Sequence, residues 1–151
     1  MTDRTSGYSY FAQRIPGGIA ADDQYWQSLE EGAFRLPRCA GCRRWTWPAH
    51  WRCGRCGSWD FDWADVEPVG TIYAWTRARM VYEGVEERAA EVPYVSVLVE
   101  VDGTDETRVL GVLKGDDATV ACGLRVRGEI DPPSPVTKGY ASIRWIIEAA
   151  P

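Results

Sequence analysis

Four cysteines in the first half of the chain have the types and the spacing of a metal site. Cys39 and Cys42 are separated by two residues, Cys53 and Cys56 likewise, and ten residues lie between the two pairs. A Cys-x-x-Cys pair occupies a tight turn, so both sulfurs can face one point, and four thiolates form the closed tetrahedral shell that structural zinc prefers. The spacing therefore predicts one structural zinc ion with four cysteine ligands.

Other interpretations of these cysteines stay open at this point. They could form two disulfides or remain free thiols, although paired Cys-x-x-Cys turns favour a metal. A mononuclear iron site of the rubredoxin type uses the same four ligands, and the chain would then be an electron carrier. The long segment that follows the cysteines has no obvious use in such a carrier. The single histidine, His50, lies in the spacer, and we expect it at the surface and outside the metal shell.

The cysteine segment is also locally basic. Five arginines and no acidic residue occur between residues 38 and 56: Arg38, Arg43, Arg44, Arg52 and Arg55. Four thiolates on a divalent ion leave a charge of −2, which some of these arginines would compensate. The remaining arginines (Arg43, Arg44, Arg52 and Arg55 are the candidates) could contact phosphate groups of an anionic ligand.

A short helix should precede the cysteines. Asp22 or Asp23 can cap a helix that runs to about Glu31. Its apolar residues form one stripe that continues at the helix exit: Tyr25, Trp26, Leu29 and Phe34. Such a short helix needs a surface to pack against. That surface could be the chain's own ribbon or a second protein, so these four residues are candidate partner contacts.

Residues 22–66 are predicted to form this helix plus a zinc ribbon. Short strands are expected over 34–38, 44–48 and 58–63, around the two Cys-x-x-Cys turns. A unit of this size buries too little surface to fold alone, so a metal would supply the missing stability. Residues 1–21 show no hydrophobic period and are predicted to be an irregular arm.

From residue 67 to residue 151 the pattern is that of β-structure. Apolar and polar residues alternate with a period of two, and five strands are predicted: 70–80, 93–101, 108–114, 124–130 and 141–148. Five strands, a long bent first strand and a break after the third indicate a barrel of the OB type, although another five-stranded barrel would show much the same pattern. The expected fold class is mainly β, with an N-terminal helix and rubredoxin-like zinc ribbon followed by a five-stranded OB-fold barrel.

Nothing in the sequence indicates catalysis by this chain alone. General acid–base chemistry most often needs a histidine in a pocket, and the chain has one histidine, in the metal spacer. Cys122 is expected to be a small buried apolar residue and not a nucleophile. The first fourteen residues are polar, and no apolar run approaches the ~20 residues of a membrane span. We therefore expect a cytoplasmic protein that makes no membrane contact.

Charge argues against a nucleic-acid-binding alternative. Zinc ribbons and OB barrels both occur in proteins that bind single-stranded nucleic acid, where aromatic side chains stack on bases. The net charge is −5, and residues 67–151 account for all of it, with nine basic and fourteen acidic side chains. A nucleic-acid-binding barrel should instead present a basic groove.

The order of several motifs resembles a known family. The aromatic helix leads into Arg35-Leu-Pro-Arg-Cys-Ala-Gly-Cys42, and the second cysteine pair is followed by Gly70-Thr-Ile-Tyr-Ala-Trp-Thr76. An acidic loop then precedes Val92-Pro-Tyr94 and the valine-rich strand. Across roughly residues 22–148 this pattern is similar to the rubredoxin-like zinc-ribbon plus OB-fold accessory proteins of the family called domain of unknown function thirty-five.

The resemblance implies a role as a companion of another enzyme. Members of that family accompany thiolase-fold enzymes of acyl-CoA metabolism, including retro-aldolases of steroid side-chain degradation, and the ribbon and helix dock on the partner. The chain would be a non-catalytic subunit that stabilises such an enzyme and helps to form its acyl-CoA site. Two copies are expected on one enzyme dimer. Only the four cysteines carry over as site residues, as metal ligands.

Overall fold

The computed structural model describes residues 21–149, and its elements follow the predicted order. One α-helix and seven strands are present: α1 (Asp23–Glu30), β1 (Arg35–Cys39), β2 (Phe61–Asp65), β3 (Val69–Ala78), β4 (Tyr94–Val101), β5 (Arg108–Leu113), β6 (Arg125–Asp131) and β7 (Ser142–Ile147). Two short 3-10 helices span Glu86–Glu91 and Pro135–Thr137. In this part of the chain, no helix is both long and apolar enough to cross a bilayer.

Strands β3 to β7 close into a barrel. Their order is β3-β4-β5-β7-β6, and β6 pairs back onto β3. Every pair is antiparallel except β5 with β7, which run parallel. A closed five-stranded barrel with this strand order is OB-like. The predicted fold class is confirmed: the chain is mainly β, with one N-terminal helix, a cysteine cluster and an OB-like barrel.

The barrel interior follows from the period-two pattern. On β4 every second residue is buried (Val95, Val97, Val99 and Val101), whereas the residues between them are half-exposed. Opposite Val97 lies Gly111, at which a Cβ atom would be 2.6 Å from the Trp145 ring. Glycine at this position therefore makes room for the fully buried indole of Trp145, the largest side chain of the core.

The first barrel strand is bent, as the sequence indicated. The register of β3 against β4 shifts between Ile72 and Ala74, which marks a bulge that increases strand bending. Before the bulge, a Cβ atom on Gly70 would be 2.2 Å from the carbonyl oxygen of Glu100. Only glycine permits this close approach of two backbones, so Gly70 lets β3 pair with both β4 and β6.

The ribbon has fewer strands than predicted. β1 pairs antiparallel with β2, but the strand expected over residues 44–48 does not form, and only an isolated bridge joins Arg38 to Trp45. Pairing ends after the Thr46 N–H donates to the carbonyl oxygen of Pro37 at 3.0 Å. Pro48 has no N–H group with which to extend a ladder.

Helix α1 packs against the chain itself. Tyr25, Leu29 and Phe34 are buried, with 3%, 1% and 4% of their surface exposed. The ring centroids of Tyr25 and Trp47 are 4.4 Å apart, and those of Phe34 and the barrel residue Trp145 are 6.2 Å apart in a T-shaped arrangement. The sequence left two packing surfaces open for these side chains, and in the structure all three pack in the chain's own core.

One hydrophobic cluster thus extends from α1 and β1 into the barrel. Trp26, the fourth candidate partner contact, is half-buried beside Tyr140, with ring centroids 5.6 Å apart. The boundary expected near residue 66 stays a prediction, since the segments on its two sides share this core. The irregular arm expected over residues 1–21 lies outside the described residues except for Ala21.

Candidate metal centre and the arginine cleft beside it

The four predicted ligands converge on one point. The Sγ atoms of Cys39, Cys42, Cys53 and Cys56 all lie within 4.8 Å of one another. The Cys39–Cys56 and Cys42–Cys53 sulfur pairs are 3.5 and 3.7 Å apart. Four sulfurs at about 2.3 Å from a central ion stand roughly 3.8 Å apart in a tetrahedron. A disulfide would bring two of them to about 2.05 Å, so this geometry fits a metal shell and not disulfides.

The two cysteine turns are built alike. In the first, the N–H of Arg43 donates to the carbonyl oxygen of Cys39, and in the second the N–H of Gly57 donates to that of Cys53, both at 2.9 Å. The residue after the second cysteine has a positive φ in each turn, 63° at Arg43 and 79° at Gly57. The last residue of β1 is Cys39, so the ribbon hairpin holds the first turn opposite the second.

Backbone N–H groups prepare the sulfurs for a cation. The N–H of Cys42 points at the Cys39 sulfur at 3.5 Å and lowers the pKa of Cys39. The N–H groups of Cys56 and Arg55 lower the pKa of Cys53 to about 6. At Cys56 the hydrogen bond from the Ser58 N–H lowers the pKa. The neighbouring sulfurs and burial have the larger combined effect, so the pKa of Cys56 is raised to about 11. Four thiolates this close together repel one another, and a cation between them would offset that repulsion; zinc or iron fits the donor set.

Three of the five arginines are held by the ribbon. Arg43 forms an ion pair with Asp62, and Arg38 donates to the carbonyl oxygen of Arg43 at 2.6 Å. Arg52 donates to the carbonyl oxygen of Gly57 at 2.9 Å, and its guanidinium lies 5.6 Å from the Trp59 ring. These arginines have structural contacts, so a ligand would have to compete for them.

The other two arginines, Arg44 and Arg55, line a cleft of about 350 Å³ between the cysteine turns and the barrel. Both are exposed, and within residues 21–149 neither has a carboxylate within ion-pair distance. His50 lines the same cleft and is exposed, as the sequence indicated. Two unpaired guanidinium groups in one cleft form a site that can bind an anion such as a phosphate group.

The barrel supplies the opposite wall, which the sequence did not reveal. The turn between β4 and β5 brings Asp105, Glu106 and Arg108 to the cleft. Arg108 also lies 3.6 Å from the Tyr73 ring and 3.3 Å from the Glu100 carboxylate. Nothing in the local sequence connects this turn with the cysteine segment about fifty residues earlier.

One further prediction is wrong, and two tryptophans are exposed. Cys122 is exposed, which corrects the expectation of a small buried residue: it lies in the turn before β6, outside the barrel interior. On the ribbon surface, Trp59 and Trp51 are 68% and 41% exposed. These two indoles are large apolar groups on an element that a metal would hold rigid.

Comparison with known proteins connects this architecture to a family. Residues 63–131 match the family described as the C-terminal OB-fold domain of ChsH2. Over 105 residues the chain is 31% identical to a probable enoyl-CoA hydratase alpha subunit of Thermomonospora curvata. That match covers 69% of this chain but 31% of the relative, so the chain spans about a third of the relative's length.

Two solved structures share the fold. An Ltp2-ChsH2(DUF35) aldolase has a TM-score of 0.73 at 22% identity, over 88% of this chain and 98% of that chain. A DUF35 protein of unknown function from Sulfolobus solfataricus has a TM-score of 0.57 at 18% identity, over 91% and 92%. Residues 63–131 are therefore similar to the C-terminal OB-fold domain family of ChsH2, and the chain shares the fold of these two DUF35 structures.

Proposed function

We propose that this chain is a non-catalytic subunit that binds and stabilises a thiolase-fold enzyme and helps to form its acyl-CoA site. The partner would be a thiolase or a retro-aldolase, and the resemblance favours a retro-aldolase of steroid side-chain degradation. The observation that carries the proposal is that the relatives with this fold are named as parts of an aldolase and of an enoyl-CoA hydratase.

The chemistry of the described residues supports a non-catalytic role. Catalysis needs a nucleophile or a titratable group with a partner that activates it. In residues 21–149 the one histidine is exposed at the cleft, and Cys122 is exposed in a turn. A metal shell that is complete with four thiolates leaves no open position for water or substrate. The ion would supply structure, and the partner enzyme would supply the reacting groups.

The ribbon surface is our candidate for the docking face. Trp51 and Trp59 are exposed there, and Arg52 lies over the Trp59 ring. Tryptophan and arginine are the residues most enriched among those that dominate binding energy at protein interfaces. These two indoles replace the buried helix residues as the proposed contacts. We expect two copies of the chain to dock in this way on one enzyme dimer.

The cleft is our candidate for contact with the CoA phosphates. Arg44 and Arg55 form no ion pair in the described chain, so their charges are available to an anion. The carboxylates of Asp105 and Glu106 line the opposite wall, so the anion would bind on the arginine side of the cleft. Arg43 and Arg52, the other two sequence candidates, are held by Asp62 and by the Gly57 carbonyl. We therefore assign the phosphate contact to Arg44 and Arg55.

The nucleic-acid alternative has less support. The barrel half has two tryptophans that could stack on bases: Trp145 is fully buried, whereas Trp75 is 41% exposed. The barrel half carries the whole negative excess. An acidic barrel repels a phosphate backbone, so tight, salt-dependent binding to oligonucleotides is not expected.

The proposed function is tested by co-expression with an aldolase subunit of the Ltp2 type. We expect the two chains to co-purify, native mass spectrometry to show two copies on one aldolase dimer, and acyl-CoA cleavage to require both chains. Full activity of the aldolase without this chain would contradict the proposal. As the matched control, Leu110→Ser changes an exposed residue on the outer face of β5 and should leave the assembly unchanged.

Removal of the two cleft arginines should weaken substrate binding. We expect the Arg44→Gln/Arg55→Gln variant of the complex to raise KM for the acyl-CoA about tenfold or more, because charged hydrogen bonds to phosphate contribute about 1.5–3 kcal/mol each. The turnover number should change little, since the phosphates lie away from the reacting atoms. Arg127→Gln removes an exposed barrel arginine paired with Glu129 and serves as the control. An unchanged KM in the double variant would rule out this role.

A further inference from the structure

The loop between β3 and β4 carries three consecutive exposed apolar residues. Met80, Val81 and Tyr82 are 61%, 40% and 53% exposed. Single exposed apolar side chains are common on protein surfaces, but contiguous ones mark contact sites more often. The acidic residues that follow in the loop do not cover them.

The loop is already ordered next to these residues. The N–H of Val85 donates to the carbonyl oxygen of Tyr82 at 3.2 Å, which closes a turn. Within it, the N–H of Gly84 donates to the Glu86 carboxylate at 2.9 Å, and the Lys138 ammonium donates to the Gly84 carbonyl oxygen at 2.7 Å. A binding element that is held in place before contact loses little conformational entropy on binding.

The far end of the loop is also anchored to the barrel. Glu91 accepts hydrogen bonds from Arg144 of β7 at 3.0 Å and from Arg88 of the loop itself. The Arg88 guanidinium lies 5.4 Å from the ring of Tyr94, the first residue of β4. The three exposed apolar residues therefore form a supported tip, which we call the Met80–Tyr82 tip.

This tip lies far from the arginine cleft. Strand β4 begins at Tyr94, directly after the loop, and ends at Val101, just before the turn that lines the cleft. Eight residues of strand at about 3.3 Å per residue separate the two regions by roughly 25 Å. The tip is thus a second surface, distinct from the proposed phosphate site.

Charge restricts what can bind at the tip. Glu83 and Glu86 follow the apolar residues, and within the described chain neither has a basic group within ion-pair distance. The exposed Arg79 precedes them, but residues 79–91 together carry four acidic and two basic side chains, so the loop is acidic. Carboxylates at this position repel the phosphates of anionic lipids and of nucleic acids. They would also repel the same loop of a second copy. A protein surface with an apolar recess and a rim of lysine or arginine complements both features.

We propose that the Met80–Tyr82 tip is a second docking element that inserts into such a recess on the partner enzyme. This inference rests on the proposed function, because it assigns the occupant to the same enzyme subunit. The ribbon and the tip would contact the partner at opposite ends of the barrel. Two separated contacts would fix the orientation of the barrel, and with it the position of the arginine cleft over the enzyme.

The test measures binding to a purified aldolase subunit of the Ltp2 type by isothermal titration calorimetry. We expect Met80→Ser/Tyr82→Ser to raise Kd about tenfold or more, as loss of exposed interface anchors does. The matched control, Leu110→Ser, removes another exposed apolar side chain and should leave Kd unchanged. Zinc content and the free energy of unfolding should be the same in all three proteins.

A second measurement tests the acidic rim. The Glu83→Gln/Glu86→Gln variant should bind with a weaker dependence on salt than the wild type, because two interfacial charges are removed. A Kd that neither variant changes, while the wild type binds, would overturn the docking role of the tip and leave the proposed function intact. Loss of self-association instead of aldolase binding would overturn it in favour of a second copy. Failure of the wild type to bind would overturn the proposed function itself.

Discussion

Replacement of Cys53 by serine should abolish metal binding and unfold the ribbon. Cys53 is buried, and its sulfur lies 3.7 Å from that of Cys42 in the four-sulfur cluster. Structural zinc contributes about 10–16 kcal/mol of apparent binding free energy, which a ribbon with two short strands cannot replace. We expect one zinc ion per wild-type chain by elemental analysis and almost none in the variant. Tryptophan fluorescence should report the unfolding, because Trp45 and Trp47 adjoin the cysteine turns.

Cys122→Ser is the matched control, since this cysteine is exposed and lies outside the cluster. It should retain the full metal content and the wild-type stability. A chelator should reproduce the effect of Cys53→Ser in the wild type and have no effect on the variant. Retention of native fluorescence and thermal stability by Cys53→Ser would contradict the structural role of the metal. Red protein that contains iron would instead support the rubredoxin-type interpretation.

Replacement of Trp145 by alanine should cause the second large effect. This side chain is fully buried and occupies the space that Gly111 leaves open. It also packs against Phe34, a residue of the segment that precedes the barrel. Loss of a buried tryptophan costs about 3–5 kcal/mol, because a cavity remains after the ring is removed. We expect the free energy of unfolding to fall by about that amount in urea denaturation.

The same variant should also weaken the link between the helix and the barrel, because the Phe34 ring would lose its neighbour. Trp75→Ala is the matched control: Trp75 is 41% exposed on β3, so its loss should cost less than about 1 kcal/mol. Trp145→Phe should recover part of the stability, as a smaller ring refills part of the space. Equal stability of Trp145→Ala and the control would contradict the central role of this residue in the core.

Local patterns predicted most of the elements. The alternation in β4 predicted a strand from residue 93 to 101, and the structure forms it from Tyr94 to Val101. Likewise the helix expected from Asp22 or Asp23 to about Glu31 spans Asp23–Glu30. The prediction of a strand over residues 44–48 was wrong. A strand needs a partner strand along its length, but this segment pairs with β1 only at the Arg38–Trp45 bridge and through the hydrogen bond from Thr46 to Pro37.

By itself, the sequence determined the candidate metal ligands, the period-two strands and the order of motifs that resembles the family, because each depends on residues that are neighbours along the chain. Tertiary structure alone decided which surfaces are free. It enclosed Tyr25, Leu29 and Phe34 in the core, paired Arg43 and Arg52, and left Arg44 and Arg55 to face the barrel across a cleft. Burial and ion pairing depend on contacts between distant segments, so a local sequence pattern does not encode them.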